Sequence, residues 1–446
     1  MPAPVFRPTQ SYVHTMQPDA SPSSLRFLLR LTGHAGQTQD GPCTYVDLGC
    51  GTGFGLILLA ATNPTCRFVG MDRSSDHIAW ARAFAAQVGL GNVAFHEASF
   101  ESFGAKVDLA GAADIVACHG ILSWIEPSEI DQVLDLAKRL LAPGGLLYCG
   151  YNSQPGWAAI EPLRATIRTL AVEDPASAVP RGFRFLRALR EVEGSAVHDN
   201  PRLIDWLERF DDAPEGYLAH EYLAGSGRAF WHGEVAAILE DRGLSFLCGS
   251  QVADGLDRLR LSPALNALLA EAGPGVARRH LRDIAVDRSF ATDVFTNGRQ
   301  KLDAARAEAA LDEVRLVSHC PPGLLSEQDG EAPSDLRRRM IEACGEGGTS
   351  FGRIADRAES RAIGRGVVMG LVADGLLRVA ATGVDGAALA AAAAFNTAAL
   401  SDIETCPNLA CPEVGGGLVL TPSIRAILAD PGHPDRGWLR VKVPGL

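Results

Sequence analysis

From Thr44 to about Tyr151 the chain alternates short apolar runs with longer segments of helical period. TYVDLG, RFVGMD, VAFHEA, DIVACHG and LLYCGY read as strands; GLILLAATN, SDHIAWARAFAAQVGL and EIDQVLDLAKRLLAPGG read as helices. Strands alternating with helices predict an α/β, doubly wound parallel sheet with helices on both faces. Upstream, residues 1–42 carry Pro, Ser and Gln early, then a helix from Ser23 to Leu31, which Ser21 or Ser23 can cap and Gly33 can end.

Downstream the pattern turns mainly helical as far as a final strand candidate at Leu244–Cys248. The expected sheet domain is therefore residues 43–255, with a helical insertion at about 156–215. Residues 256–330 predict a helical linker domain. A polar joint containing Pro321 and Pro333 then leads to a C-terminal domain, residues 331–446. Its helices Asp335–Cys344, Ser350–Asp356 and Ser360–Asp374 precede a strand at Gly375–Val379, an order like a winged helix. The Ala-rich run Ala387–Ala394 reads as a surface helix or tether.

At 446 residues the chain has room for two to four domains of ~100–200 residues each. No apolar run approaches the ~18 residues of a membrane span, and MPAPVFRPTQ lacks a secretory layout, so a cytoplasmic protein without membrane insertion is expected. Ten cysteines without a Cys-x-x-Cys pair predict reduced, mostly buried thiols and no metal site. A net charge of −12 opposes sequence-independent nucleic-acid binding by the whole surface.

The candidate chemistry begins at VDLGCGTGFG, residues 46–55, where the first strand hands over to the first helix and ligands of parallel sheets bind. Glycines at 49, 51, 53 and 55 do not match G-x-G-x-x-G, because position 54 is Phe54. Alternate residues without Cβ let backbone approach a ligand closely. Asp47 would repel a pyrophosphate but suits a cationic or amino-bearing ligand. Asp72, closing the next strand about 20 residues on, can accept both hydroxyls of a ribose. The expected ligand is an adenosine carrying positive charge and no phosphate.

That description fits S-adenosylmethionine, and the chain resembles the class I S-adenosylmethionine-dependent methyltransferases. DLGCGTG at 47–53, Asp72, Glu97-Ala98-Ser99 and Leu141-Ala142-Pro143-Gly144-Gly145 carry the resemblance. It implies a Rossmann-like methyltransferase domain in which Asp47, Gly49 and Gly51, with Gly53 of the same turn, flank the methionine part. Asp72, followed by Arg73, would hold the ribose, and Ala98 with Ser99 would lie beside the adenine. CHGILSWI at 118–125, YNSQPGW at 151–157 and YLAHEYL at 217–223 are similar to methyltransferases that carry a methyltransferase regulatory domain, among them protein lysine methyltransferases. By that resemblance the linker domain is regulatory.

His119 and Gly120 follow the fourth strand, and Tyr151 and Asn152 the fifth, so the methyl is expected to be ringed by His119, Ser123, Trp124, Tyr151, Asn152 and Trp157. His119 reads as a general base or as a hydrogen bonder to backbone or cofactor. Trp124 and Trp157 read as cage walls or as packing residues, and Asn152 as an active-site hydrogen bonder. Tyr12 reads as a lid over the cofactor or an anchor of the tail; His220 and Glu221 read as structural. A protein lysine is the acceptor that the resemblance implies, with a small molecule or glycan as alternative and a non-catalytic S-adenosylmethionine-binding scaffold as the other class. Arg337, Arg338, Arg339, Arg353, Arg357, Arg361 and Arg365 alternate with acids, the pattern of a salt-bridged surface for substrate docking or homodimer formation rather than DNA binding.

Overall fold

The computed structural model describes residues 14–36, 41–209, 218, 222–223, 227–323, 335–345, 347–381, 384–403 and 405–446. Tyr12, Tyr217, His220 and Glu221 lie outside the described residues.

The alternating segments form the strands β1 (Thr44–Leu48), β2 (Arg67–Asp72), β3 (Val93–Glu97), β4 (Ala113–His119) and β5 (Leu141–Asn152). With β6 (Ser245–Gly249) and β7 (Phe290–Thr296) they make one seven-stranded sheet in the order β3-β2-β1-β4-β5-β7-β6. β1 to β5 pair parallel, and β7 is antiparallel to both β5 and β6. The chain runs outward from β1 through β2 to β3, then returns to place β4 on the other side of β1. The carboxyl ends of β1 and β4 are thus the switch point where a crevice opens.

Helix α1 (Pro22–Leu31) starts as its sequence predicts, with the Ser21 hydroxyl accepting the Ser24 N–H at 3.2 Å. α2 (Phe54–Thr62) and α3 (Ser75–Val88) cover one face of the sheet; α4 (Phe100–Lys106) and α5 (Pro127–Leu140) cover the other. On α5 Ile130, Val133, Leu134, Ala137 and Leu140 recur at helical spacing and are buried, the one-sided stripe of a surface helix. On α2 every residue except Gly55 is buried, so this helix must be covered on its outer side as well.

The cover is the C-terminal end of the chain, which corrects the reading of the Ala-rich run as a surface helix or tether. α6 (Glu161–Ala171), α7 (Ala178–Glu191) and α8 (Pro201–Arg209) form the expected insertion around their own core of Leu163, Ile167, Phe183, Leu203 and Tyr222. α9 (His232–Glu240) and α10 (Val276–Ala285) flank β6 and β7. Further on come α11 (Asp335–Glu342), α12 (Phe351–Ala355), α13 (Arg361–Ala373) and α14 (Gly386–Leu400). In α14 Ala388, Ala392, Phe395 and Ala399 are buried in the core that holds α2, and the small alanines let the two helices approach.

Three further expectations are corrected. The sheet does not close at residue 255, because β7 comes from within the supposed linker of 256–330 and inserts between β5 and β6. The C-terminal unit likewise starts before 331: β8 (Arg315–Ser318) is the central strand between β9 (Thr349–Ser350) and β10 (Leu377–Val379), around which α11 to α13 pack. After β10 the chain leaves that unit, and α14 with the hairpin β11 (Asn408–Cys411) and β12 (Gly416–Val419) joins the main core. Finally, Cys43 and Cys66 form a disulfide between the starts of β1 and β2, while the other eight cysteines are free thiols.

Candidate active site

The glycine turn is built by the end of β2. The N–H groups of Gly49 and Cys50 both donate to the Met71 carbonyl, at 2.7 and 2.9 Å, wrapping the chain back after β1. Gly49, Gly51 and Gly53 have φ of 77°, 56° and 67°, in the region that L side chains avoid. A Cβ at Gly49 would lie 2.6 Å from Ile121 and one at Gly53 2.5 Å from Phe95. The alternation of glycines therefore serves both the turn and the close packing of the His119-to-Ser123 segment against it.

Asp72 locks this turn. Its Oδ2 accepts the Gly51 N–H at 3.0 Å, its Oδ1 accepts the Ser74 N–H at 2.8 Å, and His77 stands 3.5 Å away. Burial alone would raise its carboxyl, but His77 and the two N–H donors outweigh that and hold it below the usual range. Asp47, at the end of β1, has the opposite fate. Burial and then the charge of Asp72 push it up to about 7. Two carboxylates thus converge on this crevice, Asp72 held low by His77 and its N–H donors and Asp47 left raised, which suits a ligand bearing an ammonium or sulfonium and repels a phosphate.

The N-terminal segment folds onto the same turn. His14 Nδ1 is 3.1 Å from the Thr52 hydroxyl, and its ring lies against Phe54 and Trp80 at 5.1 and 4.4 Å. The Thr15 carbonyl would be 2.8 Å from a Cβ at Gly55. Tyr12 is outside the described residues; the described chain begins at His14, which is pinned over the crevice rim. No sequence period marks His14, and only its nearness to Tyr12 could have suggested it.

Ala98 is buried, and its N–H donates to the Asp72 carbonyl at 3.1 Å. The Ser99 hydroxyl is spent on capping α4, where it accepts the Ser102 N–H at 3.2 Å. Arg73 is exposed and reaches Glu129 at 3.9 Å, so it sits at the outer rim.

On the other side of the crevice, His119 pairs with Gly150 across β4 and β5. Its ring lies close against that glycine, where a Cβ would meet Nδ1 at 2.5 Å; it stacks on Tyr148 at 5.7 Å and meets Phe290 tilted at 5.3 Å. Burial lowers its pKa, with Asp19 opposing, so the imidazole is neutral near pH 7. Asn152 is 3% exposed and pinned by its backbone: its N–H donates to the Ser123 hydroxyl at 2.8 Å and its carbonyl accepts the Phe230 N–H at 2.8 Å. Trp124 and Trp157 meet edge to face at 6.3 Å, and Trp157 meets Trp206 of the insertion the same way at 6.0 Å. Trp206, which the sequence reading did not single out, links this aromatic row to Tyr222 through a 2.6 Å hydrogen bond.

Three buried polar atoms here, His119 Nδ1, Asn152 Nδ2 and Trp157 Nε1, have no partner. Buried polar groups in folded proteins usually find a partner, and these three at the crevice offer hydrogen bonds to a guest, although buried atoms elsewhere, such as His319 Nδ1 and Asn408 Nδ2, also lack one. The acidic pair, the close backbone and these orphaned groups together fit S-adenosylmethionine.

Tyr151 is a correction. Successive strand residues point to opposite faces, and while Asn152 shares the face of His119, Tyr151 points to the other. There its hydroxyl donates to Asp293 at 2.5 Å beside His232, and the ring is fully buried. Asp293 belongs to an ionic cluster of β7, α10 and their loops: Arg279 bridges Asp293 at 2.9 Å and Asp254 at 2.6 Å, and Arg282 and Arg288 reach Asp254 at 2.9 and 2.6 Å. Burial would raise the Asp293 carboxyl, but Arg279 and His232 hold it at about 2. Tyr151 therefore ties β5 to this cluster and does not face the crevice.

In the C-terminal arginine cluster, Arg337 pairs with Asp374 at 2.8 Å, Arg338 with Asp335 at 2.9 Å, Arg361 with Asp356 at 2.8 Å and Arg365 with Glu308 at 2.9 Å. This is the interleaved surface that the sequence predicts. Among the described residues no helix is long and apolar enough to cross a membrane, and no His, Cys, Asp and Glu group could hold a metal ion.

Comparison with known proteins agrees with this geometry. Residues 39–175 match the family model of a methyltransferase domain, and residues 214–297 that of a predicted methyltransferase regulatory domain. The uncharacterized protein sll1526 of Synechocystis is 28% identical over 79% of this chain and 71% of its own length. Trans-aconitate 2-methyltransferase of Streptomyces coelicolor is 30% identical over 50% of this chain and 64% of its own length. PKMT2 from Rickettsia typhi shares the fold at 17% identity, with a TM-score of 0.70 over 97% of this chain and 88% of that one. Its complex with AdoHcy aligns at 18% identity with a TM-score of 0.65 over 83% of this chain and 77% of that one. The regulatory-domain match ends one residue past β7, so that domain supplies the two strands that complete the sheet rather than a separate linker. The chain is a class I S-adenosylmethionine-dependent methyltransferase of the group that carries a methyltransferase regulatory domain.

Proposed function

We propose that this methyltransferase transfers the methyl group to the side-chain amine of a protein lysine. The observation that carries the reading is the row Trp124–Trp157–Trp206, which joins the insertion to the two segments that follow His119 and Asn152 in the chain. Aromatic rings strip water from an incoming amine and tolerate the product cation, through contacts of ~0.5–2 kcal/mol each. Arg209 lies over the Trp206 ring at 5.7 Å, so that ring already accepts a cation.

When bound, S-adenosylmethionine supplies an electrophilic methyl on a positively charged sulfur. Asp47 would face its ammonium, and Asp72, which keeps Gly51 in place, would accept from its ribose. Asn152 orients the acceptor nitrogen, and neutral His119 takes its proton, so that the lone pair is free to attack. Alignment of that lone pair supplies much of the catalysis, since proximity is worth ~7–11 kcal/mol. Trans-aconitate 2-methyltransferase acts on a small molecule, and a small acceptor is the second reading; the row of three rings running into the insertion favours a side chain presented by a protein. Incubating the full chain with methyl-labelled S-adenosylmethionine and a cell lysate tests the choice. Label that precipitates with protein supports it, and label that stays in the small-molecule fraction rejects it.

A further inference from the structure

Tyr148, the ring against which His119 stacks, is hydrogen-bonded to a carboxylate that none of the methyltransferase motifs contains. Asp19 sits in the short turn Pro18–Ala20 between the crevice rim and α1. The turn is anchored from both sides: the Ser24 hydroxyl donates to the Pro18 carbonyl at 2.9 Å and Tyr45 of β1 donates to the Ala20 carbonyl at 3.2 Å. The Tyr148 hydroxyl donates to Asp19 Oδ1 at 3.3 Å. The Ser250 and Thr292 hydroxyls, 2.6 Å from each other, both reach Asp19 Oδ2. Three hydroxyls from β5, β7 and the loop after β6 thus clamp one carboxylate, and the Tyr148 ring that holds it is the ring His119 stacks against.

We propose that Asp19 is a positioning residue for methyl transfer: clamped by Tyr148, Ser250 and Thr292, it stabilises His119 as imidazolium while His119 holds the proton taken from the acceptor amine.

The inference rests on the proposed amine acceptor and on His119 as its base. The acceptor arrives as R–NH₃⁺ and gives one proton to His119. The nitrogen lone pair then forms the N–CH₃ bond as the S–CH₃ bond breaks, and the electrons of that bond stay on sulfur, which becomes a neutral thioether. His119 returns its proton to solvent. Nδ1 of His119 has no hydrogen-bond partner, and stabilisation of the charged ring falls to Asp19, the carboxylate hydrogen-bonded to the Tyr148 side chain against which His119 stacks.

The groups facing His119 are Tyr148 and Gly150 from β5, Phe290 from β7 and, as the charge that raises its pKa against burial, Asp19. Asp19 in turn has Tyr45 and Arg378 of β10 within electrostatic reach. Asp19 belongs to the N-terminal segment whose His14 is pinned to the glycine turn, so one segment reaches both that turn and the Tyr148 side chain behind the base.

The test follows His119 itself. In protein labelled at histidine, the His119 ring titration is read by NMR in the wild type, Asp19→Asn and Asp19→Glu. Asn should move the midpoint to lower pH, and Glu, which keeps the charge, should restore it. The acid limb of kcat/KM should move to lower pH with Asn while the plateau falls about tenfold, as a weaker base demands. In the wild type, the Asp19 carboxyl ¹³C resonance should shift with the midpoint of His119, a readout that needs no variant to fold. An unmoved His119 midpoint in Asp19→Asn, or an Asp19 resonance blind to the His119 titration, overturns the inference. Because these titrations need no acceptor, they stand or fall independently of whether the acceptor is lysine.

Discussion

Asp47 gives the sharpest handle on the ligand's charge. Without ligand its carboxyl sits at about 7, through burial and then the repulsion of Asp72. A cation bound beside it favours the ionised form and lowers that value. At pH 8 about nine-tenths of Asp47 is then ionised before binding, and at pH 6 about one-tenth, so acidification should raise Kd about tenfold, or ~1.4 kcal/mol. The ligand's own α-amino group titrates at about 7.7–8.0, and His14 and His119 titrate below their usual value through burial. The decisive quantity is therefore the wild type compared with Asp47→Asn, in which those contributions cancel. Calorimetry of S-adenosylmethionine binding at several pH values, in buffers of different ionisation enthalpy, should show the wild type releasing up to one proton more than the variant near pH 6. Equal pH slopes for the two proteins would refute the placement of Asp47 against a cation. Stability runs the other way. A carboxyl with a raised folded pKa costs nothing when protonated; its penalty grows from about pH 4 to 7 and is fully present above 7. Asp47→Asn should thus raise the Tm of the ligand-free protein at pH 8 while weakening binding there.

Other substitutions separate the remaining roles. Asp72→Asn leaves either the Gly51 or the Ser74 N–H facing an amide NH₂ and removes the charge, so S-adenosylmethionine affinity should fall about 10- to 150-fold, the ~1.5–3 kcal/mol of a charge-assisted bond; unchanged Kd by calorimetry would exclude its ribose role. Asn152→Ala should lower kcat far more than it raises cofactor Kd in a labelled-methyl assay, and the opposite pattern would move Asn152 to the cofactor. Tyr151→Phe should cost ~1.5–3 kcal/mol of stability by removing a donor from buried Asp293, seen as a lower Tm, with kcat per folded molecule unchanged; a large loss of kcat at full stability would return Tyr151 to the catalytic set.

The residues explain why some of this was legible and some was not. β1 to β5 and the glycine turn follow from local periodicity and from turn chemistry within a few residues, and Asp72 from its place at the end of β2. Tyr151 was misplaced because β5 is buried on both faces, so its apolar pattern carries no parity, and one residue decides which face a side chain takes. β7 lies about 140 residues after β5 in a helical neighbourhood, and only long-range pairing reveals it. α14 looked like a tether because alanines pack without a periodic stripe, although the uniformly apolar α2 was a sign that something had to cover it. Asp19 is a single acid in a proline-containing turn, and its clamp comes from three distant strands and loops.

The central claim is transfer of a methyl group from S-adenosylmethionine to a lysine amine. Its most direct measurement is amino-acid analysis of acceptor protein after reaction of the full chain with methyl-labelled S-adenosylmethionine, with and without prior acetylation of the acceptor's lysines. The account predicts label recovered as N-methylated lysine and lost after acetylation. Label recovered on another residue type, or undiminished by acetylation, would contradict it.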